Sequence, residues 1–443
     1  MIYFKIAFLT IAIICLVVSV FFSNTIISFN IISPLFTKAH KVSASDIRLF
    51  FLYLSLALFI LWFNLRKYNK TIESFGKWSH VKELDGIRAL AVISIILFHW
   101  QPYGNYFPAE VFLKNLNFQK GIGQLLNDII IFISQFGYLA VGVFIILSGL
   151  SLSMSYYSNI LMNRKYYWKI FYLKRCMRIL PLYWIVLLIS FLLAYYYGKH
   201  VTLQGFLASF LLLQNYYLPW HKELALANQP LWFIPLLIVL YIFFPALLWL
   251  RRALGDPMFV LLLIGFSIIY FNTFIWIVPL GRLGEFGFGI VLGKYLLEGS
   301  NENLKLLTGF IKSIIIGILF VTLVYFTSRG LRYSIIQPIL PILLFLLFWN
   351  LSFLLSKSNS FCKIFFWLAG GSYAAYLIHP LLLRLLPDSL ISQKHNIIFG
   401  LAFMSIVFLI SSAIVSIDKQ FSKKFRLLLN YININILINR IRM

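Results

Sequence analysis

Apolar runs of about twenty residues recur along almost the whole chain and restrict its fold more than any other feature. A helix of that length crosses the hydrocarbon core of a bilayer, and it satisfies its own backbone hydrogen bonds, which lipid cannot do. Hydrophobic residues make up 61% of the 443 residues and charged residues only 12%. The sequence therefore predicts an all-α, polytopic transmembrane bundle and excludes a soluble globular protein.

We predict about twelve spans and one short helix that does not cross. The segment 203–216 is apolar over only about fourteen residues, fewer than the ~17 needed to cross, so we expect it to be re-entrant or interfacial. The predicted spans are 5–23, 48–64, 84–101, 136–155, 178–197, 231–250, 257–278, 283–297, 307–327, 335–356, 365–386 and 397–417. Every loop between them is short, so any chemistry must take place within the membrane bundle.

Most basic residues lie in the loops between the predicted spans, which explains the formal net charge of +25. If both termini are cytoplasmic, the cytoplasmic loops carry roughly twice as many Lys and Arg residues as the opposite loops, as the positive-inside rule requires. The basic loops thus determine the orientation of the spans in the membrane and interact with anionic lipid headgroups. The net charge therefore predicts no nucleic-acid partner. We expect a multi-pass protein of the cell (inner, cytoplasmic) membrane with both termini in the cytoplasm.

The cysteine pattern predicts neither a disulfide framework nor a metal site. The three cysteines are Cys15, Cys176 and Cys362. They are widely separated, and none has a second Cys or a His at the spacing that zinc ligands show. We therefore expect no metal.

The stretch Glu83–Trp100, ELDGIRALAVISIILFHW, is apolar but carries Asp85, Arg88 and His99. A charge at bilayer depth costs about 2.5–3.5 kcal/mol on insertion scales, so such a group is a candidate functional residue. Arg88 and His99 are three helical turns apart on one face, roughly 16 Å along the axis, and Asp85 shares that face. The pattern favours a channel for a long, partly anionic ligand that reacts at its far end. Alternatively, Asp85 and Arg88 set topology and His99 lies at the opposite interface.

A second basic group precedes the span from 178. Lys174, Arg175 and Arg178 lie close together on the side where Arg88 is predicted, and Arg175 and Arg178 are one turn apart. Arginine suits bidentate recognition of phosphate. The group is therefore a candidate phosphate site, although plain positive-inside anchoring explains it equally well.

Three further stretches carry candidate polar or interfacial residues. Ser148 stands beside a glycine in GVFIILSGLSLS, where small residues leave room for a slender ligand or allow close helix packing. Trp232 opens an apolar span, as aromatic-belt residues do. Arg282 and Glu285 are one turn apart in LGRLGEFGFG, either as an ion pair or as a polar lip for a hydroxyl-rich acceptor.

The stretch Gly370–Leu383 places Tyr376 and His379 one turn apart. His379 is about as far into its predicted span as His99 is into its own, so the two imidazoles should lie at similar depth. A single buried histidine is more often structural than catalytic. Two at matched depth, each beside other polar groups, favour a reaction centre.

Six stretches, taken in order, resemble the acyltransferase family 3 integral-membrane proteins. LDGIRALAVISIILFH has that family's basic residue, ten residues and then histidine, at Arg88 and His99, and KRCMRILPLY has its RxxR at Arg175 and Arg178. The others are FIILSG, PLWFIPLLIVLYIFFP, GRLGEFGFG and SYAAYLIHP. We predict an acyltransferase domain over 81–417, two extra N-terminal transmembrane helices and a loop over 1–80, and a basic cytoplasmic tail over 418–443.

The resemblance implies transfer of an acyl group, most often acetyl, from cytoplasmic acyl-CoA to a hydroxyl of a surface glycan or lipid-linked saccharide. His99 would act as general base or be acylated itself, with Tyr376 and His379 lining the reaction centre. The coenzyme-binding residues would be Arg88, Lys174, Arg175, Arg178 and Ser148, and the acceptor side would hold Asp85, Arg282, Glu285 and Trp232. Another donor such as succinyl-CoA, an amino acceptor, and a transporter or flippase remain alternatives.

Overall fold

The computed structural model describes several parts of the chain. They are residues 29–31, 40–42, 82–100, 134–161, 168–273, 279–298, 315–320, 338–387 and 398–417. The predicted spans 5–23 and 48–64, most of 307–327 and the predicted tail 418–443 lie outside the described residues. Each of the other predicted spans falls on a helix.

The described chain is helical apart from one small ribbon in a segment predicted as loop. There β1 (Phe29–Ile31) pairs antiparallel with β2 (His40–Val42), with Phe29 opposite Val42. The helices are α1 (Lys82–Trp100), α2 (Ala140–Leu161), α3 (Trp168–Tyr196), α4 (Leu203–Phe210), α5 (Leu218–Asn228), α6 (Phe233–Leu254), α7 (Asp256–Thr273), α8 (Leu283–Glu298), α9 (Leu340–Leu355), α10 (Asn359–Arg384) and α11 (Ile398–Ile417). Short 3-10 turns at Gln135–Leu139, Gln229–Trp232 and Pro279–Arg282 precede α2, α6 and α8.

Five helical stretches in the described residues are long and apolar enough to cross a membrane. They are Phe136–Asn159, Phe171–Tyr196, Pro219–Leu254, Asn359–Arg384 and Ile398–Ile417, and the shorter apolar stretches Asp256–Tyr270 and Leu340–Leu355 accompany them. The helical membrane character is confirmed, whereas the count of about twelve spans is not. α1 is not among the five because charged side chains occupy its first two turns.

α2 and α8 cross at backbone contact, which only glycine permits. A Cβ at Gly149 would lie 2.3 Å from the carbonyl oxygen of Phe286, and one at Gly289 would lie 2.1 Å from that of Ile146. Ser153 adds a hydrogen bond of 2.7 Å from its hydroxyl to the carbonyl of Ile290. These contacts run in parallel along both helices and make α2 and α8 a tight pair, against which α1 packs through α2.

α3 is a continuous helix of 29 residues, roughly 43 Å long, so it exceeds the ~30 Å hydrocarbon core of a bilayer. Pro181 lies inside α3 and does not end it. The end of α3 that carries Lys174 and Arg175 can therefore extend beyond the hydrocarbon.

The predicted re-entrant segment folds back along α3. α4 has eight residues, about 12 Å, which is too short to cross. Its N-cap Thr202 accepts a hydrogen bond from the Gly205 amide, and Glu223 of α5 accepts from the Thr202 amide at 2.7 Å. The hydroxyl of Tyr183, halfway along α3, donates to the Ser209 carbonyl at 2.7 Å. The segment thus reaches the middle of the bundle and then continues into α5 and α6.

Candidate functional site

The two imidazoles predicted at matched depth are in direct contact. Nδ1 of His99 on α1 and Nε2 of His379 on α10 are 3.2 Å apart, and the ring centroids are 4.8 Å apart. His379 is fully buried, whereas His99 is partly exposed. The contact joins residues 280 positions apart in the chain. It makes the His99 end of α1 the candidate reaction centre.

Backbone contacts determine where the hydrogens of the two neutral rings lie. Nδ1 of His99 is 2.9 Å from the Ile95 carbonyl, and Nδ1 of His379 is 3.1 Å from the Ala375 carbonyl. A carbonyl oxygen only accepts, so each Nδ1 carries the hydrogen and each Nε2 carries a lone pair. His99 Nδ1–H is then shared between Ile95 and His379 Nε2. The geometry leaves His99 Nε2 as a basic nitrogen, held in orientation by two acceptors.

Tyr376 lies beside the histidine pair, but its hydroxyl forms a hydrogen bond with the backbone before α6 rather than with a histidine. Its ring centroid is 6.0 Å from that of His379, and its hydroxyl donates to the Pro230 carbonyl at 2.6 Å. Phe233 and Phe144 pack against the same ring, at 5.4 and 6.5 Å between centroids. Tyr376 therefore holds the 3-10 turn before α6 against α10, next to the histidine pair.

At the opposite end of α1, Asp85 orients Arg88. Arg88 Nη1 is 3.0 Å from Asp85 Oδ1, and Nη2 donates to the Ser151 hydroxyl of α2 at 3.4 Å. Asp85 is buried, while the Arg88 side chain is 32% exposed. The guanidinium is thus positioned by one carboxylate and retains an accessible surface that an anion can contact.

One face of α2 joins the two ends of α1. Of residues 140–157, those at Phe144, Ser148, Ser151 and Ser155 are partly exposed, and the others are buried. Their spacing of three or four residues places them on one face. Phe144 packs on Tyr376 and Ser151 contacts Arg88, so this face points into the bundle. We call Ser148, Ser151 and Ser155 the serine face. Ser151 and Ser148 mark a polar route along α2 from Arg88 towards Phe144 and the histidine pair, whereas Ser155 lies one turn further from that pair.

The predicted basic group on α3 lies near this route. Lys174 and Arg178 are exposed, and the Arg175 guanidinium lies 5.8 Å from the ring centroid of Phe171. The charge of Arg178 acts on the Arg88 guanidinium, so both cations contribute to one region of positive potential. The residue after Arg178, Ile179, accepts a 2.7 Å hydrogen bond from Tyr373, about 9 Å along α10 from His379. The route from Arg88 and Arg178 to the histidine pair is therefore basic at its start.

Arg282 and Glu285 form the ion pair that the sequence offered as one of two possibilities. Arg282 Nη1 is 2.7 Å from Glu285 Oε1, and the two side chains are 4% and 0% exposed. A Cβ at Gly142 of α2 would lie 2.8 Å from that oxygen. The pair is enclosed between α2 and α8 rather than forming an open lip.

Trp232 is buried rather than exposed at an interface, and its carbonyl accepts a 2.8 Å hydrogen bond from Asn215. This contact draws attention to a group that the sequence analysis did not single out. Gln214, His221 and Asn228 are buried on the same polar segment between α4 and α6. The paired amides Gln214 and Asn215 inside an apolar stretch are the sequence signal that could have identified this group.

A further charged network closes the bundle near the ends of α6 and α8. Arg251 is buried and bonds to Asp256 Oδ1 at 2.6 Å and to the Tyr157 hydroxyl at 2.6 Å. Lys294 lies 3.3 Å from the other oxygen of Asp256. These groups are paired with one another and hold the ends of α2, α6, α7 and α8 together. In the part of the chain that the structure describes, no cluster of three or more His, Cys, Asp or Glu residues suits a metal ion.

The described helices form a bundle of membrane type, with an imidazole pair at one end of α1 and basic side chains at the other. The family model of acyltransferase family 3, an acyltransferase domain, matches residues 81–417, so the chain belongs to this family. Neither a curated protein nor a solved structure matches the chain. Fold and family together define a membrane acyltransferase.

Proposed function

We propose that the protein transfers an acetyl group from cytoplasmic acetyl-CoA to a hydroxyl of a surface glycan or lipid-linked saccharide. The observation that carries the proposal is the pairing of His99 with His379 at one end of α1, with Arg88 at the other end. The serine face connects the two ends. A long donor with an anionic head and a reactive tip matches this arrangement.

The phosphates of the coenzyme bind at the basic end in this proposal. Arg88, pre-oriented by Asp85, binds the phosphorylated head group together with Arg178, and Arg175 and Lys174 follow on the adjoining turn of α3. Arginine donates two parallel hydrogen bonds to a phosphate, which gives both affinity and orientation. The pantetheine arm then follows the serine face, where Ser148 and Ser151 offer hydroxyls to its amides.

The histidine pair performs the chemistry as general base. His99 Nε2 takes the proton of the acceptor hydroxyl while that oxygen attacks the thioester carbonyl. The carbon–sulfur bond breaks, the ester forms, and the proton held by His99 passes to the departing thiolate to give coenzyme A. While His99 carries this second proton it is an imidazolium, and His379 Nε2 stabilises it by accepting a hydrogen bond from His99 Nδ1–H. The tautomer leaves a lone pair on His99 Nε2, which both the base role and acylation of His99 require, and we propose the base role.

The same site accommodates other acyl groups, so succinyl-CoA is the second donor to test. A transporter or flippase that carries a polar substrate is the alternative from another class. Transfer of label distinguishes them, because a transporter moves its substrate unchanged. The family match and the group of basic residues at the Arg88 end favour the enzyme.

The test is transfer of radiolabel from acetyl-CoA into membrane glycan, with wild type, His99→Ala and His200→Ala side by side. His200 is an exposed histidine after α3 and serves as the control. We expect label with wild type and His200→Ala, and none above background with His99→Ala. Equal labelling by wild type and His99→Ala would contradict the base role, and no labelling by wild type with either acetyl-CoA or succinyl-CoA would contradict the enzyme.

The basic end is tested separately with Arg178→Ala. A charge-assisted hydrogen bond to phosphate contributes about 1.5–3 kcal/mol, so the apparent KM for acetyl-CoA should rise roughly tenfold to a hundredfold. Lys199→Ala removes an exposed cation beyond the other end of α3 and should leave that KM unchanged. An increase in the acceptor KM instead would place the coenzyme elsewhere.

A further inference from the structure

Five buried polar atoms in residues 209–228 have no hydrogen-bond partner in the described structure. Ser209, Gln214 and Asn228 are fully buried, and His221 is 4% exposed. The atoms are Ser209 Oγ, Gln214 Oε1, Asn215 Oδ1, His221 Nδ1 and Asn228 Oδ1. Buried polar groups without partners cost free energy and require an explanation. Their concentration in one short segment suggests that a bound polar molecule forms the missing hydrogen bonds with these atoms.

The orientation of the three amides is determined by their donors. Gln214 Nε2 donates to the Tyr183 hydroxyl at 3.1 Å, and that hydroxyl already donates to Ser209. Asn215 Nδ2 donates to the Trp232 carbonyl at 2.8 Å. Exchanging nitrogen and oxygen would place acceptor against acceptor at these contacts. The amide oxygens of Gln214 and Asn215 are therefore acceptors that have no donor in the described structure.

Asn228 is oriented in the same way. Its Nδ2 donates to the Leu377 carbonyl at 3.2 Å and to the Ser190 hydroxyl at 3.1 Å, and Ser190 itself donates to Val186. Both amide hydrogens are used, so Oδ1 is left as an acceptor. His221 and Asn228 are seven residues apart on α5 and share one helix face.

This segment is attached directly to the helix that carries His379. Asn228 bonds to Leu377, two residues before His379, and Tyr376 bonds to Pro230 at 2.6 Å. Arg384 of α10 donates to the Ala225 carbonyl at 3.3 Å. A molecule held by residues 209–228 therefore lies next to the proposed reaction centre.

We infer that residues 209–228 form the subsite for a hydroxyl-rich acceptor, in which the orphan amide oxygens and His221 Nδ1 accept hydrogen bonds from sugar hydroxyls. This inference rests on the proposed function and names where its acceptor binds. Several acceptors along one segment match a saccharide, which presents several hydroxyl donors on a rigid framework. A hard metal cation fits less well, since it takes oxygen ligands and leaves the imidazole nitrogen unused. The enclosed Arg282–Glu285 pair has no part in this subsite.

The test measures binding without any acyl donor, so it is independent of catalysis. Full-length protein in nanodiscs is titrated with methyl glycosides of glucose, galactose and N-acetylglucosamine, and binding is followed by saturation-transfer-difference NMR. The matched probe is each glycoside with its hydroxyls methylated, which keeps the ring and its acceptors but removes every hydroxyl donor. We expect saturable binding of at least one glycoside and none of its methylated form.

The variants are Ser209→Ala, His221→Phe and His221→Asn, with Ser411→Ala as control. Ser411 is equally buried, but its hydroxyl donates to Val407 on its own helix. Ser209→Ala and His221→Phe should each weaken glycoside binding roughly twofold to tenfold, as expected for one neutral hydrogen bond. His221→Asn, whose amide occupies the position of Nδ1, should restore most of the loss.

Three outcomes overturn the inference. These are equal binding of free and methylated glycosides, no saturable binding of any glycoside, and binding that Ser209→Ala, His221→Phe and Ser411→Ala leave equally unchanged. The last two would mean that water alone completes the orphan atoms. If label transfer from acetyl-CoA succeeds while glycosides do not bind here, the proposed function stands and only the subsite is wrong. If glycosides bind but no label is transferred, the subsite stands and the enzyme does not.

Discussion

Replacing His379 tests whether His99 is the general base and His379 only the hydrogen-bond acceptor that stabilises it. In the structure His99 Nδ1–H donates to His379 Nε2 at 3.2 Å, and His379 is fully buried. His379→Leu removes the acceptor and keeps a similar volume. His379→Gln keeps an acceptor oxygen near the position of Nε2. Neither change removes the basic nitrogen of His99.

The magnitude follows from the change in that hydrogen bond during the reaction. A neutral hydrogen bond contributes about 0.5–1.5 kcal/mol, and a bond to a charged group about 1.5–3 kcal/mol. The bond therefore strengthens by about 1–1.5 kcal/mol when His99 becomes an imidazolium, which corresponds to roughly fivefold to thirteenfold in kcat. Loss of the base itself, in His99→Ala, should cost about 10²- to 10⁴-fold.

The assay is kcat for label transfer at saturating acetyl-CoA, normalised to folded protein by gel filtration. His379→Leu should lose roughly tenfold, and His379→Gln should recover most of that loss. If His379→Leu is as inactive as His99→Ala, His379 reacts directly with substrate and the assignment is reversed. If both His379 variants match wild type, the contact is packing alone.

Two further predictions concern the packing that surrounds the site. Gly149→Ala forces a methyl group against the Phe286 carbonyl and should destabilise the protein by about 1–3 kcal/mol. Gly370→Ala should not, because its new methyl group meets no neighbouring side chain or helix within 4 Å. Thermal unfolding in detergent compares the two variants, and equal midpoints would disprove the close crossing of α2 and α8. Glu285→Leu alone leaves Arg282 buried without its carboxylate and should cost about 3–5 kcal/mol, while adding Arg282→Met should recover much of the loss. A double variant less stable than Glu285→Leu would show that Arg282 does more than balance Glu285.

Short-range features of this chain were predictable because helical periodicity is local. The positions of Asp85, Arg88 and His99 on one helix face follow from 3.6 residues per turn, and the Asp85–Arg88 contact is observed at 3.0 Å. The segment 203–216 is too short to cross, and the structure places the eight-residue α4 there. Membrane character follows in the same way from composition and the length of the apolar runs.

Contacts between distant segments were decided by the tertiary structure. The sequence places His99 and His379 at similar depth, but helix packing brings their nitrogens to 3.2 Å. One turn of spacing joins Arg282 to Glu285, whereas only the close approach of α2 and α8 encloses the pair. For the same reason, the sequence did not reveal that the amide oxygens of Gln214 and Asn228 have no hydrogen-bond donor. Whether a polar atom has a partner depends on what other helices bring to it, and a local sequence pattern does not contain that information.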